Sequence, residues 1–368
     1  MSQTHFYEVS AFARTPQSSG APTITFLQRI LTLGGASEGA EGGLSWSREL
    51  CSDGFIIVST MPETIGTALG NRLLDLRSNP VELWLWRDGV LRARGPLVAW
   101  QIQGNSIVLN ARGLLYYLRY MMINADVSLN MDQSEVVATL IDNYQSQAYG
   151  NFGLDTTSAW SNPHNVNIEK EYKRVELINL YDEIHALGET DTGFDVDVDV
   201  ETGDILLYHP ERGTDKSGSV FLDMRGVTTP NIAYSLAAKQ FATAAIGSGS
   251  GEDGSGNQQS YFAESIEATL RQGFGLAYVG THITGKTTQS EVNSYTTQAR
   301  KLANNPYFVP SKEYFPVVGA TIDDFEPGDT VTTVYDTGFG EFSIAMPIKN
   351  QNISISPDGE EKISVEYV

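Results

Sequence analysis

The stretch from 81 to 119, VELWLWRDGVLRARGPLVAWQIQGNSIVLNARGLLYYLR, constrains the chain most. Val81, Leu83 and Leu85 alternate with Glu82, Trp84 and Trp86. Asp88-Gly89 then supplies the positive-φ pair that a tight hairpin turn needs, so Leu91 to Ile102 is expected to return alongside. A strand that is apolar on both faces belongs inside a packed sheet or barrel, not on an edge. A second turn at Gly104-Asn105 leads into Ile107 to Leu109. From Ala111 to Tyr120 the period changes to a helix-like cluster of Leu114, Leu115, Tyr117 and Leu118. The stretch contains no nucleophile, metal-ligand cluster or phosphate loop, so it reads as a scaffold.

The residues before it read as short strands, His5 to Ala13, Thr23 to Leu33, Leu44 to Arg48 and Phe55 to Thr60, with a flexible loop from Gly34 to Gly43. Ile65, Leu69, Leu73 and Leu76 recur at helical spacing. Residues 1–128 are therefore expected to form a first β-barrel. A different texture follows over 129–212, expected to be an α/β domain. Asp132 and Glu135 suit a capping box ahead of Val136, Val137, Leu140, Ile141 and Tyr144. A second helix is expected to bury Leu177, Leu180, Tyr181, Ile184 and Leu187 and to end at Gly188. The segment GFDVDVDVETGDILLYHP reads as a hairpin turning at Thr202-Gly203, with valines on one face and Asp195, Asp197 and Asp199 on a solvated other face.

Residues 213–368 return to strands, around Ile232 to Leu236, Phe241 to Ile246, Leu276 to Ile283 and the alternating Phe342 to Ile348 and Ile363 to Tyr367. One helix among them is capped by Thr288 and Glu291, carries Val292, Tyr295, Ala299 and Leu302 on its inner stripe, and stops at Pro306. The fold class is α+β and β-rich: a second barrel domain over 213–368, with a flexible loop at 247–259, follows the α/β insert.

Composition narrows function. The 368 residues hold 24 Lys plus Arg against 45 Asp plus Glu, a net charge of −21 that repels phosphate backbones and anionic membrane surfaces. The single cysteine, Cys51, has no internal disulfide partner. No secretory leader and no run of about 18 apolar residues occurs, which predicts a soluble product without a membrane-spanning segment.

Each chemical motif has a plainer reading. Gly249, Gly251 and Gly254 satisfy GxGxxG, but Glu252 and Asp253 sit where a pyrophosphate needs positive charge, and the surroundings have linker composition. Asp195, Asp197 and Asp199 resemble the start of a calcium loop, yet Val200 stands where glycine must turn the chain and Leu206 where a bidentate glutamate belongs. His5, His164, His185, His209 and His282 are scattered, and Asp182 with His185 makes a polar helix stripe. Asp323, Asp324 and Glu326 are a carboxylate cluster whose separation the sequence does not give. No catalytic, cofactor-binding or metal residue is therefore assigned, and no cofactor.

The order of elements resembles the tail hub proteins of long-tailed bacteriophages: the baseplate hub, the N-terminal hub part of tail-associated lysins, and minor tail proteins. The resemblance is carried by PVELWLWRDGVLRARGPLVAW at 80 to 100, the helix from Asp132, the helix from Tyr172 running into the aspartate hairpin, and the segment from Asp324 to Val368 with Pro327-Gly328-Asp329 before a strand and Asp358-Gly359 in the final hairpin. It implies two tube-forming β-barrel domains and a homotrimeric ring in the virion, at the distal end of the tail. The product is made in the host cytoplasm. The implied partners are the distal tail or tail tube ring, the tape measure protein and a tip fibre or spike, with DNA passing through the lumen unbound. The last residue, Val368, directly follows the closing barrel and leaves no room for an appended hydrolase, so a non-enzymatic role is expected. A tail-associated cell-wall hydrolase and a carbohydrate-binding tip adhesin are the alternatives.

Overall fold

Both edges of the opening hairpin strand are covered by partners, as its two apolar faces require. In a computed structural model, residues 5–33, 43–190, 192–225, 233–235, 241–252, 258–274, 276–286, 288–304, 307–309, 312–314, 320–336, 340–356 and 359–367 are described. The first seven strands are β1 (Tyr7–Thr15), β2 (Thr23–Leu33), β3 (Gly43–Glu49), β4 (Phe55–Thr60), β5 (Val81–Arg87), β6 (Val90–Gln103) and β7 (Ser106–Arg112). β5 lies between β1 and β6, antiparallel to both, and Val81, Leu83 and Leu85 are at most 1% exposed. The turn is built as the sequence asks, with φ of 52° at Asp88 and 81° at Gly89. Helix α1 (Thr67–Leu73) buries Leu69 and Leu73, and a 3₁₀ segment over Leu114–Tyr120 buries the expected apolar cluster.

The next elements are β8 (Val127–Asp132), α2 (Gln133–Gln145), α3 (Thr157–Ser161), β9 (Asn167–Tyr172), α4 (Leu180–Gly188), β10 (Asp195–Val198) and β11 (Ile205–Tyr208). Asp132 caps α2 by accepting from the Ser134 N–H at 3.0 Å, and it also accepts from the backbone of His164 and Val166. The cap carboxylate thus also fastens the 164–166 loop, and no reciprocal bond from Glu135 accompanies it among the described residues. Leu177 corrects a second expectation. It precedes α4 with φ of 52° and is 69% exposed, so the buried stripe is Leu180, Ile184 and Leu187.

The remaining elements are β12 (Phe221–Asp223), β13 (Ala233–Ser235), β14 (Ala244–Glu252), β15 (Gln258–Ile266), α5 (Ala268–Phe274), β16 (Tyr278–Lys286), α6 (Gln289–Asn304), β17 (Tyr307–Val309), β18 (Lys312–Tyr314), β19 (Thr330–Asp336), β20 (Glu341–Ile355) and β21 (Glu361–Tyr367). The principal sheet runs β12-β19-β20-β3-β4-β7-β6-β5-β1-β2, with β21 on β20 and β18 on β21. Its hydrogen bonding does not close on itself among the described residues. The β3–β20 pairing, Asn350 opposite Glu49 through Ile355 opposite Leu44, joins strands from the first and last segments of the chain in one sheet.

The chain divides into two compact units, one of residues 1–187, 195–230 and 311–368, the other of 188–194 and 231–310. In the second, β14 is the middle strand between antiparallel β15 and parallel β16. Residues 247–252 and 258–259 of the expected flexible loop are thus paired strand, and 253–257 lie outside the described residues, as do the 34–42 loop, Pro306 and Asp358. The reason is visible at Gly247, where an added Cβ would stand 1.7 Å from Thr296 Oγ1 on α6. Ala245, Gly247, Gly249 and Gly251 are buried and alternate with less buried neighbours, a small-residue floor over which α6 packs closely. The inner stripe of α6 runs through Val292 and Thr296, both 0% exposed, whereas Tyr295 is 40% exposed. Thr288 and Glu291 do form the expected capping box.

Candidate functional site

The carboxylates that the sequence groups at 323–326 lie on a turn that crosses the end of the principal sheet, and each is held by a different partner. Asp323 receives Arg87 Nη1 and Arg92 Nη2, both at 2.6 Å. Asp324 accepts from the N–H and hydroxyl of Thr321 and shapes the turn itself. Glu326 receives Arg212 Nη2 at 2.9 Å, with Arg48 Nη1 at 3.7 Å. Burial alone would raise the Asp323 carboxyl, but Arg87, its hydrogen bond and Arg92 outweigh that and hold it below the ordinary carboxylate range. A glycosidase needs one carboxylic acid kept protonated near neutral pH, and Asp323 is driven the other way.

A buried charge network adjoins this turn. Glu361 on β21 accepts from Arg87 Nε at 2.5 Å, Arg87 Nη2 at 3.2 Å and the Tyr7 hydroxyl at 2.5 Å. The Arg87 and Glu361 side chains are each 2% exposed. Burial disfavours the Arg87 charge, yet the Glu361 hydrogen bonds and field more than offset it and raise the pKa. Burial, then the Glu361 carboxylate, pushes the Tyr7 phenol far up, so it remains a donor. At the rim, Asp88 accepts from His5 Nδ1 at 2.7 Å and from the Phe6 N–H at 2.9 Å. One arginine from the opening hairpin thus ties a strand near the C-terminus, β21, to β1 and the 320s turn. The signal was present in the sequence: Arg87 ends a strand with apolar residues on both faces, and a charge there must be buried and paired.

The aspartate hairpin forms as expected, with φ of 83° at Gly203 in the turn, but its acidic face is not solvated. Asp195 accepts from Cys51 Sγ at 3.1 Å and from the Arg212 N–H at 2.7 Å. Asp197 is paired with the Arg212 guanidinium. Burial raises its pKa in spite of Arg212. Asp199 accepts from the Thr202 N–H and hydroxyl and the Glu201 N–H, bonds that lower its pKa and close the turn. Burial, then Asp195, pushes the Cys51 thiol up to about 12, leaving it a protonated donor.

Two of the histidines are brought together, but not as metal ligands. His164 stacks on His209 at 5.0 Å, His185 packs on Tyr181 at 4.2 Å, and His282 Nδ1 lies 2.9 Å from the Ser248 hydroxyl. Among the described residues, no group of three or more His, Cys, Asp or Glu side chains is placed to hold a metal ion, and no helix is long and apolar enough to cross a membrane. Of the GxGxxG glycines, Gly249 and Gly251 lie in β14 and Gly254 is outside the described residues. These side chains serve as fastenings between strands, turns and chain ends.

No protein-family model matches the sequence, and a search of curated proteins finds no match. Solved structures do. The 43 kDa tail protein of prophage MuSo2 from Shewanella oneidensis aligns with a TM-score of 0.61 over 98% of this chain and 98% of its own, at 11% identity. The prophage tail protein gp18 from Listeria monocytogenes aligns at 0.57 over 99% and 94%, with 10% identity. The tail protein from Neisseria meningitidis aligns at 0.56 over 98% and 96%, with 12% identity. The chain therefore has the fold of phage tail proteins, from end to end. This agrees with the expected β-rich fold with a few helices and with the resemblance to phage tail proteins.

Proposed function

We propose that the chain is a structural hub of the tail tip of a long-tailed bacteriophage, a homotrimeric ring that joins the tail tube to the tip and lines the DNA exit path. The observation that carries this reading is the likeness to phage tail proteins over essentially the whole length of both partners. Two features support it. Asp323, Glu326, Asp197 and Glu361 are paired with arginines that come from distant segments of the chain, as a scaffold requires. The net charge of −21 suits a conduit through which DNA slides without counterion-releasing contacts. Three copies related by heterologous contacts would close a ring, presenting strand-rich parts of each chain to the lumen. Its neighbours would be the tail tube ring and tape measure protein above and a fibre or spike below.

A reconstruction of the intact tail tip tests the proposal. Three copies at the distal end of the tube, around an open channel, are expected. Six copies, or a peripheral position on the outside of the tip, would reject the hub assignment.

A further inference from the structure

A cavity of about 100 Å³ lies between β3, β6 and β10 in the first unit. Arg48, Arg92, Arg94 and Arg212 all line it. Arg212 is consumed by Asp197 and Glu326. The other three each keep a buried Nε–H with no hydrogen-bond acceptor. Arg48 uses Nη2 on the Ile322 carbonyl at 2.8 Å, and Arg92 uses Nη2 on Asp323 at 2.6 Å. Arg94 is the extreme case. Its guanidinium stacks on Trp84, 4.8 Å from the ring centroid, and makes no hydrogen bond or ion pair among the described residues.

Three acids share the lining, Glu49, Asp53 and Asp197, but Asp53 is held by Arg119 at 3.1 Å and Asp197 by Arg212. Glu82 and Asp199 also act on Arg94 through space. Glu82 is occupied by Trp84 Nε1 at 3.0 Å, the Tyr117 hydroxyl at 2.7 Å and Arg14 at 3.5 Å. Asp199 is occupied by its own turn. Burial lowers the Arg94 pKa, and it does the same for Arg48, where Arg92 and Arg212 add repulsion. A buried donor without an acceptor costs about 1–3 kcal/mol, more when charged, so a site with three of them is expected to recruit acceptors.

We propose that this cavity binds a free small oxyanion of the phosphate or carboxylate class, held among the guanidinium groups of Arg48, Arg92 and Arg94 that line it. A guanidinium fork takes such an anion with two parallel hydrogen bonds, and Arg94, unlike Arg48 and Arg92, has neither terminal nitrogen engaged. About 100 Å³ is room for a few waters or one small oxyanion. The inference is independent of the tail-hub reading, because it rests on the arginines alone.

The test uses the full chain at constant ionic strength, with sodium chloride replaced stepwise by millimolar sodium phosphate or sodium acetate. Trp84 under Arg94 reports through fluorescence, and the phosphorus resonance of inorganic phosphate reports without any variant. A saturable fluorescence change with broadening of the phosphorus line is expected, and Arg94→Met, which keeps an apolar stem on Trp84, should weaken binding about tenfold or more. A saturable response to one anion and not the other would assign the class. An unbroadened line with no saturable fluorescence change for either anion means that water fills the cavity and overturns the proposal. An undiminished response in folded Arg94→Met removes the anion from this cavity and also overturns it.

Discussion

Replacing Glu361 by leucine should be among the most destabilising single changes in the first unit. The substitution removes the acceptor of three hydrogen bonds, two from Arg87 and one from Tyr7. Arg87 would keep Asp323, whose side chain is 43% exposed, and Asp88 at 3.9 Å, 46% exposed, both screened by solvent. Breaking one side of a buried ion pair costs about 3–5 kcal/mol, because the surviving charge stays buried without compensation. With a urea m-value of about 3 kcal/mol/M, the midpoint should fall by about 1–1.7 M. Trp46, Trp84, Trp86, Trp100 and Trp160 are the only five tryptophans and all lie in the first unit, so fluorescence-detected urea unfolding isolates that unit. The double variant Arg87→Met/Glu361→Leu removes both charges and should cost about 2 kcal/mol less than the two single losses added together. A loss below about 1 kcal/mol for Glu361→Leu, the worth of a surface pair, would refute the argument, as would strict additivity in the double variant.

Acid should act on the same unit through carboxyls that the fold holds below their ordinary range, Asp88, Asp132, Asp323 and Asp329, where bonds from partners outweigh burial. Their folded pKa lies under the unfolded one of about 3.9, so the stability is fully present above that value and is lost as pH falls below it through the folded pKa. The urea midpoint should be flat from neutrality to about pH 5 and drop below about pH 4, and Asp132→Asn should flatten part of the drop; a midpoint that rises on acidification would contradict this. Gly247→Ala should destabilise the second unit by about 1–3 kcal/mol, since the new methyl meets Thr296 at 1.7 Å. Hydrogen exchange should speed up in β14–β16 and not in β1–β7, and an unchanged pattern would place α6 farther from the sheet. Cys51, with its thiol pushed up to about 12, should react with alkylating reagents at pH 8 far more slowly in the native protein than in urea. Equal rates would mean that the Asp195 contact does not persist in solution.

Local pattern was enough for the local elements. Alternation and a two-residue positive-φ turn specify the 81–102 hairpin, three- and four-residue spacing specifies α1, α2 and α6, and a valine face with a Gly203 turn specifies β10–β11, because such signals are complete within a few residues of chain. The pattern misled at two places. Leu177 fits a helical stripe but is turned outward before α4, and the Gly-Ser alternation of 247–251 has the composition of a linker yet is extended strand because α6 lies over it. The candidate residues Asp195, Asp197, Asp323 and Glu326 are ordinary acids in one dimension. Only the fold brings Arg212, Arg48, Arg87 and Arg92 to them, and only the pairing of β3 with β20 and β21 with β20 carries Glu361 to Arg87, 274 residues away. The sequence alone determined the locally patterned elements, among them the 81–102 hairpin, α1, α2, α6 and the aspartate hairpin. The identity of the partners of buried charges such as Arg87 was decided by tertiary structure, because contacts between residues far apart in sequence leave no periodicity to read.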